Sequence, residues 1–454
     1  MRRTWLVILV LLILLTGALA WQLPAILKAV PSRYVARLPE PVQALGVREH
    51  VSVLPTAAAP ELTDEELHQL LASAAPSAGA VPTHDPRLAP PTPTPPPTRA
   101  AETGANDAPG ASPATAVPTA TPAPAPTKTR PPLPASVRLQ GIAHRFQDWN
   151  NCGPATLGMS LTYFDIYHTQ NQIASIVKPD PEDRNVSPWE MAAYVNQQTE
   201  QAALDRANGD LYTVRALLSS GYPVIVEVGI QPPGEYRWME WYGHYLLLVA
   251  YDDSAETFWV YDSWFGTSEV PQENAHSDGR EISYAELDSQ WRYFNRSYIV
   301  LYPPEEEAEV AAIIGDAMND EQMWQNALRR TRTELEAEPE VAHLWFNLGT
   351  VYNALGNYEA AAAAFDKARS LALPWRMLWY QMGPYEAYYE IGRYEDVIEL
   401  ADVTLQDRPY FEEAFYYKGL AQIALGEEAA GRENLEKAAA FNPNFPLAAE
   451  ALGD

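Results

Sequence analysis

QDWNNCGPATLGMSLTYF, residues 147–164, is the stretch whose reading decides the fold. A helical pattern starts at Cys152, with Pro154 in the first turn, where a missing N–H costs nothing. The partial positive charge of such a helix start points at the sulfur. Cys152 is the one cysteine among 454 residues. No intramolecular disulfide can form, and metal sites built on paired thiolates are excluded. The residue is therefore a buried apolar side chain, a free surface thiol or a nucleophile. A nucleophilic thiol must ionise, and a helix N-terminus and a nearby imidazole both favour that.

The imidazole has one good source. Of eight histidines, His244 alone heads a strongly apolar strand, in GHYLLLVAYDD. The strand runs into a polar turn, DDSAE, and returns as TFWVYDS. A hairpin centred on Asp253 sets His244 directly opposite Asp262. Opposed residues have Cβ atoms about 4.5–5.5 Å apart, within reach of a carboxylate-to-imidazole hydrogen bond. That carboxylate would fix the tautomer and stabilise the imidazolium. Asp252 and Asp253, at the turn, are the alternatives for this role.

Around this pair, residues 137–303 read as an α+β domain. Helices come first, in CGPATLGMSLTYF, SPWEMAAYVNQ and DLYTVRALLSSG, with Ser187 and Asp210 as N-caps. PVIVEVGI, GHYLLLVAYDD, TFWVYDS and RSYIVLYPP follow as strands, which indicates an antiparallel sheet. Gln147-x4-CGPA, then GHYLLLVAYD, then a strand ending in Asp resembles the family-39 cysteine peptidases and their C39-like relatives. These are papain-like proteins, and their best-known members cut leader peptides after a double glycine while fused to exporters. The resemblance covers about 141–302. It implies a helical subdomain plus an antiparallel sheet, with Cys152 as nucleophile, His244 as general base and then acid, and Asp262 as the orienting carboxylate. Gln147 and the Cys152 backbone N–H would be the oxyanion donors. Two positions depart from the family pattern: Asn151 stands where Asp is usual, and Ser263-Trp264 follows the third position where many relatives have Pro. No exporter ATPase motif is present, so double-glycine specificity is not carried over. No acidic or histidine cluster has metal-ligand spacing, and neither metal nor cofactor is expected.

From residue 304 to 454 the pattern is helical throughout. Prolines recur at Pro339, Pro374, Pro409 and Pro443, and glycines at Gly356, Gly392 and Gly426. One unit reads Trp345, Leu348, Gly349, Tyr352, Ala361, Phe365, Ala368, which resembles the tetratricopeptide repeat. The next unit departs, with Met382-Gly383 and a longer spacing before Gly392. The resemblance implies an all-α solenoid whose groove takes a peptide or partner protein, or a helical cap on the peptidase.

The N-terminal part reads differently. Arg2-Arg3 and WLVILVLLILLTGALA make residues 1–30 a signal peptide, cut after Ala18-Leu19-Ala20, or an uncleaved membrane anchor. Either way the downstream chain is expected outside the cytoplasm, anchored or secreted at a bacterial-type envelope. Residues 31–136 read as a Pro/Ala/Thr-rich spacer without a core, semi-rigid and polyproline-like in 75–136, with one possible short acidic helix at ELTDEELHQLL. The net charge of −28 argues against nucleic-acid binding. The function expected is peptide-bond hydrolysis on a peptide or protein substrate, with the repeats binding a partner. The alternatives are an inactive peptide-binding scaffold and a different thiol acyl transfer, such as transglutamination or amide hydrolysis.

Overall fold

In the computed structural model of the chain, the described residues are 22–23, 27, 54–57, 63–72, 130–231, 241–265 and 279–453. The apolar N-terminal segment and most of the proline-rich stretch lie outside them. Among the described residues no helix is long and apolar enough to cross a membrane.

The chain order is α1 (Asp64–Ala72), β1 (Ser136–Arg138), α2 (Cys152–Thr162), α3 (Gln170–Val177), α4 (Pro188–Gln198), β2 (Ala202–Arg206) and α5 (Leu211–Ser219). Then follow β3 (Val224–Ile230), β4 (Tyr242–Asp252), β5 (Thr257–Asp262), β6 (Arg280–Ser283), α6 (Tyr284–Trp291), β7 (Tyr298–Tyr302) and α7 (Glu307–Ile314). The strands form one antiparallel sheet in the order β2-β7-β3-β4-β5-β6, and β1 pairs with the far end of β4. Alternation along the strands serves both faces. Ile225, Leu247, Val249, Ile299 and Leu301 pack with α2, α3 and α4. Val226, Val228, Leu246, Leu248 and Val300 pack with α5, α6 and α7. Because both faces are covered, β3 and most of β4 are buried at every position. The caps sit where the sequence puts them. The Asp210 carboxylate accepts from Thr213 N–H at 2.7 Å, and Ser187 N–H donates to Glu190 at 2.7 Å.

The β4–β5 register differs from the expected one. Asp262 lies opposite Leu246, not His244, because the turn is centred between Ser254 and Ala255, about one and a half residues later than expected, and the β-bulge between Leu248 and Ala250 takes back only one residue of the three-residue slip this makes. A bulge adds a residue to one strand and shifts everything beyond it. The net slip is two residues, so His244 and Asp262 stay on the same face as diagonal neighbours. Asp252 and Asp253 lie at the opposite end of β4 from His244. Asp252 caps the turn through Ser254, and Asp253 pairs with Arg215.

The C-terminal region is helical: α8 (Asp320–Ala337), α9 (Ala342–Ala354), α10 (Tyr358–Ser370), α11 (Gly383–Glu390), α12 (Tyr394–Asp407), α13 (Glu412–Ala424), α14 (Glu428–Phe441) and α15 (Pro446–Leu452). A 3₁₀ turn, Trp375–Trp379, precedes α11. Close approach of α9 and α10 depends on Gly349, where a Cβ would come within 2.6 Å of the Phe365 ring. Trp241 and Phe294 of the sheet domain belong to the same apolar core as the repeat helices. The Tyr293 ring stacks on His343 with centroids 4.0 Å apart.

Two parts of the expected spacer are bound to the folded body. α1 lies against α10, where Leu70 is buried, and Tyr352 donates a hydrogen bond to the Leu70 carbonyl. Arg369 donates to the Pro55 carbonyl at 2.7 Å. Downstream, Arg130 pairs with Asp210 at 2.7 Å, and Tyr212 and Tyr251 donate to the carbonyls of Pro131 and Pro134. Aromatic hydroxyls and an ion pair supply here the holding contacts that Pro, Ala and Thr cannot make for themselves.

Candidate active site

Cys152 is the first residue of α2, so its backbone N–H has no acceptor within the helix. Asn150, just before it, takes a left-handed φ of 56°, a conformation Asn tolerates well. Its side chain donates to the Glu182 carbonyl at 3.2 Å. This tight turn sets the sulfur at a half-buried position on the helix end. Gly153 lets α2 seat so deeply. A Cβ there would fall 2.2 Å from Val186 and 3.5 Å from the Tyr245 ring. Tyr245 in turn donates to the Val186 carbonyl at 2.7 Å, locking β4 to the loop before α4.

His244 and Asp262 are brought together. His244 Nε2 lies 2.9 Å from Asp262 Oδ1, and both residues are about 3% exposed. Nε2 being engaged, Nδ1 is left for Cys152, which interacts with the ring. The diagonal placement suffices because an imidazole is long enough to span it. Burial alone would lower the His244 pKa. The Asp262 charge and hydrogen bond, joined by Cys152, outweigh it and raise the ring to about 9. The ring therefore holds its proton at neutral pH.

Asp262 has every lone pair occupied. Oδ1 also accepts from the backbone N–H groups of Trp264 at 2.9 Å and Phe265 at 3.1 Å. Oδ2 accepts from Arg280 Nε at 3.2 Å and Nη2 at 2.9 Å. Burial pushes this carboxyl up, but His244 and Arg280 hold it well below the usual carboxylate range. Arg280 is a residue of this candidate site that the sequence does not point to. It stands on β6 opposite Val260, hence diagonal to Asp262 on the same face. The available signal was an arginine opening a short alternating strand, REIS, and that is weak.

Gln147 is held by the segment after Asp262. Its backbone N–H donates to the Ser263 carbonyl at 2.8 Å, and its Oε1 accepts from Ser263 Oγ at 2.9 Å. With Oε1 engaged, the amide NH2 is the end that can serve a ligand. The departure Ser263-Trp264 thus has a structural use. Ser263 orients Gln147, and the Trp264 ring lies 5.9 Å from the His244 ring, centroid to centroid. Among the described residues no group of three or more His, Cys, Asp or Glu is placed to hold a metal ion.

A half-exposed sulfur at a helix start, a buried imidazole–carboxylate pair and a tethered amide have the composition of a thiol acyl-transfer centre. Residues 139–298 match the model of the Peptidase_C39 like family, and residues 342–372 match a tetratricopeptide repeat. A search of curated proteins returned no match. Among solved structures, the chain is similar to one described as a C39-like peptidase from Bacillus anthracis. The identity is 15%, over 37% of this chain and 96% of that one, with a TM-score of 0.28.

Proposed function

We propose that the chain is a cysteine peptidase acting outside the cytoplasm, with a papain-like catalytic domain at 137–303 and a partner- or substrate-binding repeat domain at 304–454. The observation that carries this reading is the buried His244–Asp262–Arg280 array beside Cys152 at the start of α2. His244 carries the thiol proton on Nδ1 before the attack, and the sulfur it has deprotonated attacks the scissile carbonyl carbon. The Gln147 amide and the Cys152 N–H donate to the oxyanion that forms. As the tetrahedral intermediate collapses, the C–N bond breaks and the imidazolium gives its proton to the leaving amine. A water, deprotonated by His244, then attacks the thioester. The C–S bond breaks, the acid leaves, and His244 keeps the water's proton for the next cycle. Asp262 keeps the ring in one tautomer throughout.

The test is turnover of unfolded protein by the full-length chain. Wild type is expected to cut it, and Cys152→Ala and His244→Ala are expected to lose turnover while staying folded. Equal turnover by either variant would overturn the assignment. The site of action is tested by a C-terminal reporter active only outside the cytoplasm. Signal from a cytoplasm-only reporter instead would contradict it.

A further inference from the structure

The repeat region breaks its own period at one place, and that place lies against the candidate active site. The connection between α10 and α11 runs over 371–382, whereas the next connection between repeats takes only 408–411. The extra length is not a loose loop. It holds the 3₁₀ turn Trp375–Trp379, whose five side chains are all buried.

This turn reaches the strand that carries His244 and, through Arg184, the loop before Cys152. On the sheet side, Arg376 Nη1 donates to the Trp241 carbonyl at 3.2 Å, and its guanidinium lies 4.1 Å over the Tyr242 ring. Tyr380 packs against Gly243, where a Cβ would come within 2.9 Å of its ring and of the Phe294 ring. Gly243 directly precedes His244, so the strand gives up a side chain there to admit two aromatic rings, Phe294 of the sheet domain and Tyr380 of the repeats. On the helix side, Arg184 lies 5.2 Å from the Trp149 ring and 5.3 Å from the Trp379 ring. Trp149 stands three residues before Cys152. The Tyr380 hydroxyl is pushed up by burial first and then by Cys152. Tyr380 itself is only half-buried.

We propose that residues 375–380 wall off one end of the substrate cleft, so that the peptidase acts on the ends of peptide chains and not on their middles. This rests on the peptidase reading above. An extended peptide rises about 3.3 Å per residue. A wall packed against the residue next to His244 therefore leaves room for only a few residues beyond the scissile bond on that side. The wall is rigid, because Trp375 and Trp379 are anchored in the repeat core. Tyr380 is its half-buried edge, a specificity-determining residue supplied by the repeat domain.

The experiment uses the full chain as wild type, Tyr380→Ala and Tyr380→Phe. A mixed library of unblocked peptides of one length is read by mass spectrometry for cleavage positions. In parallel, Cys152 is alkylated with iodoacetamide and with a maleimide carried on a long poly(ethylene glycol). Wild type and Tyr380→Phe are expected to cut within the first or last few residues and to exclude the bulky maleimide, relative to its rate with free cysteine. Tyr380→Ala is expected to gain internal cuts and at least about tenfold in the bulky-reagent rate, about 1.4 kcal/mol, with the iodoacetamide rate unchanged. Internal and terminal cuts of equal rate in wild type, or bulky labelling unaltered by Tyr380→Ala, would overturn the proposal. If no form cuts any peptide, the peptidase reading fails, and the alkylation ratio alone decides whether the cleft is closed. If Tyr380→Ala does not fold, the wild-type cleavage map and reagent ratio still decide.

Discussion

Replacing Asp262 by Asn removes one charge from a place where four donor groups converge. The wild-type carboxylate accepts from His244, two backbone N–H groups and Arg280. An amide has one acceptor oxygen. If that oxygen keeps His244 and the backbone donors, its NH2 faces the Arg280 guanidinium, donor to donor. Arg280 is about 7% exposed. A buried charge stripped of its partner costs about 3–5 kcal/mol, so Asp262→Asn should melt well below wild type while still folding. His244 loses the interactions that hold it near pH 9, and burial then favours its neutral form. Turnover should fall by about 10³–10⁴. The assay is kcat/KM on an unfolded protein across pH, with a thermal melt of each variant. The alkaline limb of the profile should move to lower pH as the imidazolium is lost. Wild-type turnover and an unmoved profile in a folded Asp262→Asn variant would refute the triad role. Wild-type melting would refute the Arg280 argument separately.

Gln147→Ala should lower kcat by about 10²–10³ with little change in melting temperature, because Gln147 is half-exposed and its partner Ser263 can turn to water; an unchanged kcat would remove Gln147 from the oxyanion site. A second pH effect belongs to the joint between the domains, where Glu412 and Glu413 of α13 face Asp183, Glu190 and Lys178 across Asn185. Burial pushes the Glu412 carboxyl up to about 8, and Glu413 rises with it. Raised carboxyls give stability that is complete below their ordinary value near 4.5 and is lost as pH climbs through the folded one. The melting temperature should therefore fall between pH 5 and pH 8. A Glu412→Gln, Glu413→Gln double variant should flatten that fall, and a slope equal to wild type in differential scanning fluorimetry would contradict it.

Local chemistry explains which features were legible in the sequence. Helix start, Pro154 and the apolar run mark α2 without any tertiary information, because each acts within one turn. His244 and Asp262 were found as neighbours for a reason partly independent of the register. A two-residue error preserves the face of the sheet, and the side chains are long enough to absorb the remainder. The bulge between Leu248 and Ala250 was not legible, since no glycine or other breaker marks it in LLLVAYD. Arg280 was hidden because its role depends on a strand pairing beyond β5. The irregular spacing around Met382-Gly383 was visible as a departure, but that it reaches the active site depends on how the two domains pack. The attachment of α1 was invisible for a similar reason. Its acidic face gives no hint that Leu70 is buried among repeat helices.

The account stands or falls on Cys152 as an activated nucleophile. The direct measurement is the rate of iodoacetamide uptake at pH 6 by the intact protein, located by mass spectrometry, in wild type and His244→Ala. Because Cys152 is the only thiol, one equivalent should be taken up faster than by free cysteine, and His244→Ala should lose most of that advantage. A Cys152 that reacts only after denaturation, or equally fast in both proteins, would contradict the account.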